Sequence, residues 1–91
     1  MAEELVKHLK VMNEYGIHAR PAALLVKAAG KYECDIFMEK DGNKVSCKSI
    51  MGLMTIEGYP GSTMKVTALG ADAQEALNEI EELFVNKFGE D

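Results

Sequence analysis

The sequence predicts an α+β fold, a two-layer sandwich in which helices pack on one face of an antiparallel sheet. Three observations carry this. Segments with an apolar period of two alternate with segments of helical period, in the order strand, helix, strand, strand, short helix, strand, helix. Asp41-Gly42-Asn43 joins the two middle strands as a hairpin, which makes that pair antiparallel. The chain has 91 residues, 47% of them hydrophobic, enough for one core and one domain spanning 1–91. Strand order is not fixed by periodicity.

Each element has its own signal. Glu4–Met12 places Leu5, Leu9 and Val11 on one face and Val6, His8, Lys10 and Met12 on the other, a strand covered on one side. Asn13-Glu14-Tyr15-Gly16 is a turn. From Ala19 to about Tyr32 the stripe Ala22, Leu25, Val26 and Ala29 has helical spacing; Pro21 suits the first turn and Gly30 a stop. Cys34–Lys40 alternates with Cys34, Ile36 and Met38 on one face, and a short return strand runs through Val45 and Cys47. Ser49 can cap a one- or two-turn helix over Ser49–Ile56. After a Gly58-Tyr59-Pro60-Gly61 loop, Thr63–Leu69 is the fourth strand, with Met64, Val66 and Ala68 inward. Asp72 and Glu75 form a capping pair before a long helix whose stripe is Ala73, Ala76, Leu77, Ile80, Phe84 and Phe88.

Composition narrows the function. Ten Lys and Arg against fifteen Asp and Glu give a net charge of −5, which weighs against a nucleic-acid binder that must displace counterions from phosphates. Recruitment by larger partners suits such a chain better. Two cysteines, Cys34 and Cys47, fall in strand-like segments and read as buried free thiols rather than a disulfide framework or a zinc site. Two histidines and no clustered carboxylates argue against a metal centre, and no cofactor motif is present. The acidic start Met1-Ala2-Glu3-Glu4 has no apolar run behind it, and no stretch approaches the roughly 20 residues of a membrane span. Cytoplasmic residence without membrane insertion is the expectation.

The chemistry concentrates at His18, at the mouth of the first predicted helix. First-turn N–H groups lack an intrahelical acceptor and can receive an anion beside the imidazole. The positive helix end disfavours the imidazolium, so the ring is expected to stay neutral and nucleophilic. Arg20, two residues on, can fold its planar fork onto phosphate oxygens. A histidine so placed can accept a phosphoryl group; on spacing alone, an ordinary half-exposed loop histidine with an unrelated arginine stays open. Leu24 lies nearly opposite the apolar stripe of its helix, and Ile50, Met51 and Met54 lie opposite Leu53 and Ile56. Such apolar groups on an outer face mark either burial or docking. Ser49 reads as a helix cap or as a phosphorylation site. His8, on a strand with no spaced partner, is structural or exposed.

Gly16-Ile17-His18-Ala19-Arg20-Pro21-Ala22 resembles the active-site signature of the HPr family, the histidine-containing phosphocarriers of the bacterial sugar phosphotransferase system. Lys48-Ser49-Ile50-Met51-Gly52, about thirty residues later, resembles the family's serine-phosphorylation segment, and the likeness covers nearly the whole chain. The resemblance implies an open-faced sandwich of four antiparallel strands with three helices on one face. It implies phosphorylation of His18 at Nδ1, neutralisation by Arg20, and docking through Ala23, Leu24, Ile50, Met51 and Met54. The implied partners are enzyme I and the IIA domains of sugar permeases, met by a monomer with no turnover of its own. Ser49 matches the serine phosphorylated by HPr kinase/phosphorylase, whose product a catabolite repressor recruits. A nitrogen-related branch of the family and a purely regulatory module acting through Ser49 are the alternatives. Arg20, Lys27 and Lys48 lie near the expected docking face, whereas much of the acid lies in the last helix and tail.

Overall fold

The computed structural model describes residues 4–90; the Met1–Glu3 part of the acidic start and Asp91 of the acidic tail lie outside the described residues. The chain forms β1 (Glu4–Lys10), α1 (Ala19–Ala29), β2 (Asp35–Lys40), β3 (Asn43–Ser46), α2 (Ile50–Thr55), β4 (Thr63–Leu69), α3 (Ala73–Val85) and a 3-10 turn at Lys87–Gly89. The four strands make one antiparallel sheet in the order β1-β4-β2-β3. The three helices cover one face, an open-faced sandwich.

Periodicity explains which side chains meet. Leu9 pairs with Met64, and on the other side of β4 Val66 pairs with Met38 and Ala68 with Ile36. All six are buried beneath the helices. From α3 the stripe Ala73, Ala76, Leu77, Ile80 and Phe84 is buried against them; Phe88, expected on the same helix, is buried too but comes from the 3-10 turn after α3 has ended at Val85. Burying each of the large members contributes about 1.5–3 kcal/mol, so the stripe rather than the helix's own propensity fixes α3. The hairpin turns on Asp41 and Gly42 alone, both with positive φ (53° and 82°), the backbone that a two-residue turn between right-twisted strands requires.

Three expectations are corrected. First, α1 stops at Ala29 rather than near Tyr32: Gly30 N–H still makes the helical bond to Val26 O, but the Lys31 and Tyr32 N–H groups bond three residues back, to Ala28 and Ala29, and the chain turns into β2. Second, its buried face is Pro21, Ala22, Leu25, Ala28 and Ala29, rotated from the expected stripe, with Val26 only half-buried. Third, Asp72 stands at the N-cap of α3 but makes no capping bond. Its carboxylate instead accepts the backbone N–H groups of Glu33 and Cys34, both at 2.9 Å. Two donors from the turn before β2 outweigh one local N–H, and they hold the carboxyl below its usual range.

Candidate functional site

The site begins with two loops drawn together. Val11 and Gly61 exchange backbone contact (Gly61 N–H to Val11 O, 2.7 Å), and Ile17 N–H donates to the Gly58 carbonyl at 2.9 Å. Gly16 takes φ +67°, and a Cβ there would stand 2.2 Å from the Gly58 oxygen. Only glycine lets the 13–17 turn lie this close to the 58–61 loop. The turn delivers His18 in extended conformation (φ −92°, ψ −166°) to the N-cap of α1, where its carbonyl accepts from Ala22 N–H at 3.0 Å.

His18 caps with its carbonyl only; its side chain makes no capping bond, so the ring is free for other work. Ala19 and Arg20 present first-turn N–H groups, Pro21 has none, and Arg20 is exposed. Tyr15 stands edge-on to the imidazole, ring centroids 6.2 Å apart. The His18 side chain keeps 38% of its surface in solvent. That exposure leaves the ring reachable from solvent, outside any closed pocket.

Sequence reasoning missed the group that holds the ring. Glu90, just past the 3-10 turn, brings Oε2 to 2.7 Å from His18 Nε2, while Asn13 Nδ2 donates to its Oε1 at 2.8 Å. The same Asn13 amide donates to the Gly16 carbonyl at 2.7 Å, and Asn13 itself is fully buried. Asn13 Oδ1 has no partner among the described residues. Such an orphan acceptor costs about 1–3 kcal/mol, so both amide hydrogens are committed to the loop and to Glu90 against that cost. The Asn13 hydrogen bond first, then that of His18 and the charges of His18 and Arg20, hold the Glu90 carboxyl below its ordinary range. The acidic tail is thus not set apart from the histidine. Glu90 lies 72 residues from His18, and no local spacing could reveal the pair.

The second region is α2, which packs against α1. Ser49 is its N-cap and accepts the Gly52 N–H at 3.1 Å while staying exposed. Leu53 and Ile56 are buried, whereas Ile50, Met51 and Met54 are 44%, 78% and 50% exposed, the division the sequence predicts. On α1, Ala23 is exposed but Leu24 is half-buried and packs on the core, so it is the edge of any apolar surface rather than its centre. Lys27 is exposed in the last turn of α1; Lys48 donates to the Tyr32 carbonyl at 2.7 Å. His8 is exposed on β1, and Cys34 and Cys47 are buried free thiols. Among the described residues no group of three His, Cys, Asp or Glu could hold a metal, and no helix is long and apolar enough to cross a membrane.

An open-faced sandwich that presents one half-exposed histidine at a helix N-terminus defines a class that works through its surface. The profile of the family described as PTS HPr component phosphorylation site matches residues 5–86. The chain is 44% identical to the phosphocarrier protein HPr of Treponema pallidum over 87 residues, 96% of this chain and 99% of that one. It is 46% identical over 72 residues to the HPr-like protein Crh of Bacillus subtilis, covering 79% of this chain and 85% of that protein. A crystal structure of HPr from Thermoanaerobacter tengcongensis superposes with a TM-score of 0.88 at 42% identity, over 98% of both chains. The chain belongs to the HPr family, the phosphocarriers of the phosphotransferase system.

Proposed function

We propose that this chain, working as one monomeric unit over 1–91, accepts a phosphoryl group from phospho-enzyme I on His18 and passes it to sugar-specific IIA domains. One observation supports the reading: His18 is at the N-cap of α1 with its side chain unspent on capping and 38% exposed, and its Nε2 rather than its Nδ1 meets Glu90. The Nδ1 lone pair attacks phosphorus in line as the bond to the donor breaks. The first-turn N–H groups and the Arg20 guanidinium share the phosphate charge. Onward transfer breaks the new P–N bond and returns the electron pair to Nδ1. Positioning and charge, rather than a pocket, do this work, which suits cytoplasmic carriage between docked proteins. Ala23, Ile50, Met51 and Met54, with Leu24 at the margin, are the docking surface, and Arg20, Lys27 and Lys48 favour acidic groups on the partner.

Incubation with phosphoenolpyruvate and enzyme I tests this. Acid-labile, base-stable phosphate should form on the parent protein and be absent from His18→Ala; equal labelling of the two overturns the assignment. Arg20→Ala should slow transfer about tenfold or more, the loss expected for one charge-assisted contact, with the fold intact.

A second use is supported by the exposed Ser49 Oγ at the start of α2 and by the likeness to Crh of Bacillus subtilis, a catabolite repression protein. Phosphorylation of Ser49 by HPr kinase/phosphorylase from ATP would put a dianion at a helix N-terminus, where it is tolerated, beside the docking surface, for recognition by a catabolite repressor. ATP-dependent labelling lost in Ser49→Ala supports this use. Labelling by ATP with none by phosphoenolpyruvate would make the chain a purely regulatory module. Transfer to no sugar-specific IIA domain would favour the nitrogen-related branch.

A further inference from the structure

The Asn13–Glu90–His18 chain is a built arrangement. Its first member is fully buried, the Glu90 side chain is only 13% exposed, and each link is 2.7–2.8 Å long. An ionised carboxylate can only accept hydrogen bonds, so Glu90 fixes the proton of the neutral imidazole on Nε2. The lone pair is then on Nδ1. Asn13 supplies two donors and so aims the carboxylate: one N–H holds Oε1, the other holds the Gly16 carbonyl two residues before the histidine.

We infer that Glu90, aimed by Asn13, is a positioning residue for phosphoryl transfer at His18, selecting the Nε2–H tautomer and facing the charge that the ring gains when Nδ1 is phosphorylated. The inference rests on His18 being the phosphoryl acceptor. In the step, the P–Nδ1 bond forms as the bond to phospho-enzyme I breaks, and Nε2 keeps its proton throughout. The ring passes from neutral imidazole to phosphoryl-imidazolium opposite a carboxylate that is already in place. Onward transfer reverses the change, so no proton has to be found or lost in either direction. Arg20 and the helix N–H groups meet the phosphate on one side of the ring and Glu90 meets the ring charge on the other. Glu90, whose carboxyl the Asn13 hydrogen bond holds below its ordinary range, is an ionised acceptor at neutral pH.

Two measurements on the full chain test this together. With 15N-labelled histidine at alkaline pH, where imidazoles are neutral, His18 should show a pyridine-type Nδ1 and a pyrrole-type Nε2. Exposed His8 supplies the unconstrained reference. In Glu90→Ala and Glu90→Gln that preference should relax toward the His8 pattern, and phosphorylation by phospho-enzyme I should slow about tenfold. The glutamine keeps the shape but not the charge: with its oxygen accepting from Asn13, its NH2 faces Nε2 and no longer requires a proton there. An unchanged tautomer, or an unchanged transfer rate, in both variants overturns the inference, because a contact that only tied the tail down would move neither. If His18→Ala is itself phosphorylated like the parent, the acceptor assignment fails and takes the inference with it. If His18→Ala is silent while the Glu90 variants run at the parent rate, only the role of Glu90 falls.

Discussion

Gly16 is the residue at which one methyl group would disturb most. Its φ of +67° costs an L side chain about 1–2 kcal/mol, and the added Cβ would meet the Gly58 oxygen at 2.2 Å, so the two loops must part. Gly16→Ala should therefore lower unfolding stability by at least about 2 kcal/mol in urea titration and slow phosphorylation of His18, whose turn it holds. That a turn lay here was legible from Asn13-Glu14-Tyr15-Gly16, and His18 with Arg20 was legible from the helix mouth. The second duty of Asn13 was not, because its partner comes from the far end of the chain. Cys47 makes a separate case. Burial alone pushes its thiol up to about 12, and burial first, then Asp72, pushes Cys34 up to about 11. Both should resist a thiol reagent in the native protein and react at the rate of opening, read by absorbance with and without denaturant.

At the scale of elements, α2 is the most dependent on a single side chain. It has six residues, and only Leu53 within it is buried, so the Ser49 cap is a large share of what holds it. Ser49→Ala should cost about 1 kcal/mol in chemical unfolding, apart from any regulatory effect. Met51→Lys, at a side chain 78% exposed, should leave that stability unchanged and weaken binding to enzyme I in calorimetry. The split between Leu53, with Ile56 just past the end of α2, inward and the two methionines outward was readable because spacing alone decides it. Where a neighbour decides, reading failed. Leu24 is half-buried because the buried face of α1 is turned toward Pro21 and Ala28, and Asp72 leaves its own helix for two backbone donors across a loop.

For the whole molecule, three carboxylates tie distant segments and share one pH signature. Asp72 binds the turn before β2, Glu79 binds Lys31 and Tyr32 at 2.6 Å, and Glu90 binds Asn13 and His18; all three are held below their ordinary range. A carboxyl depressed in the folded state stabilises the fold above its unfolded value of about 4, and this is lost as pH falls through the folded value. The urea midpoint should thus hold down to about pH 5 and fall steeply below 4, less steeply in Glu79→Gln. Strand order belongs to this scale too. Only β2 and β3 are joined by a hairpin, while β4 pairs with β1 and β2 from far along the chain, so no local pattern could have ordered the sheet. The bond from Glu90 to His18 carries this non-locality into the working site. A ribosome has long since released the histidine when the glutamate that grips it is made. A nascent or tail-clipped chain would have the nucleophile without its grip, so the ring is set only in a molecule translated through to residue 90.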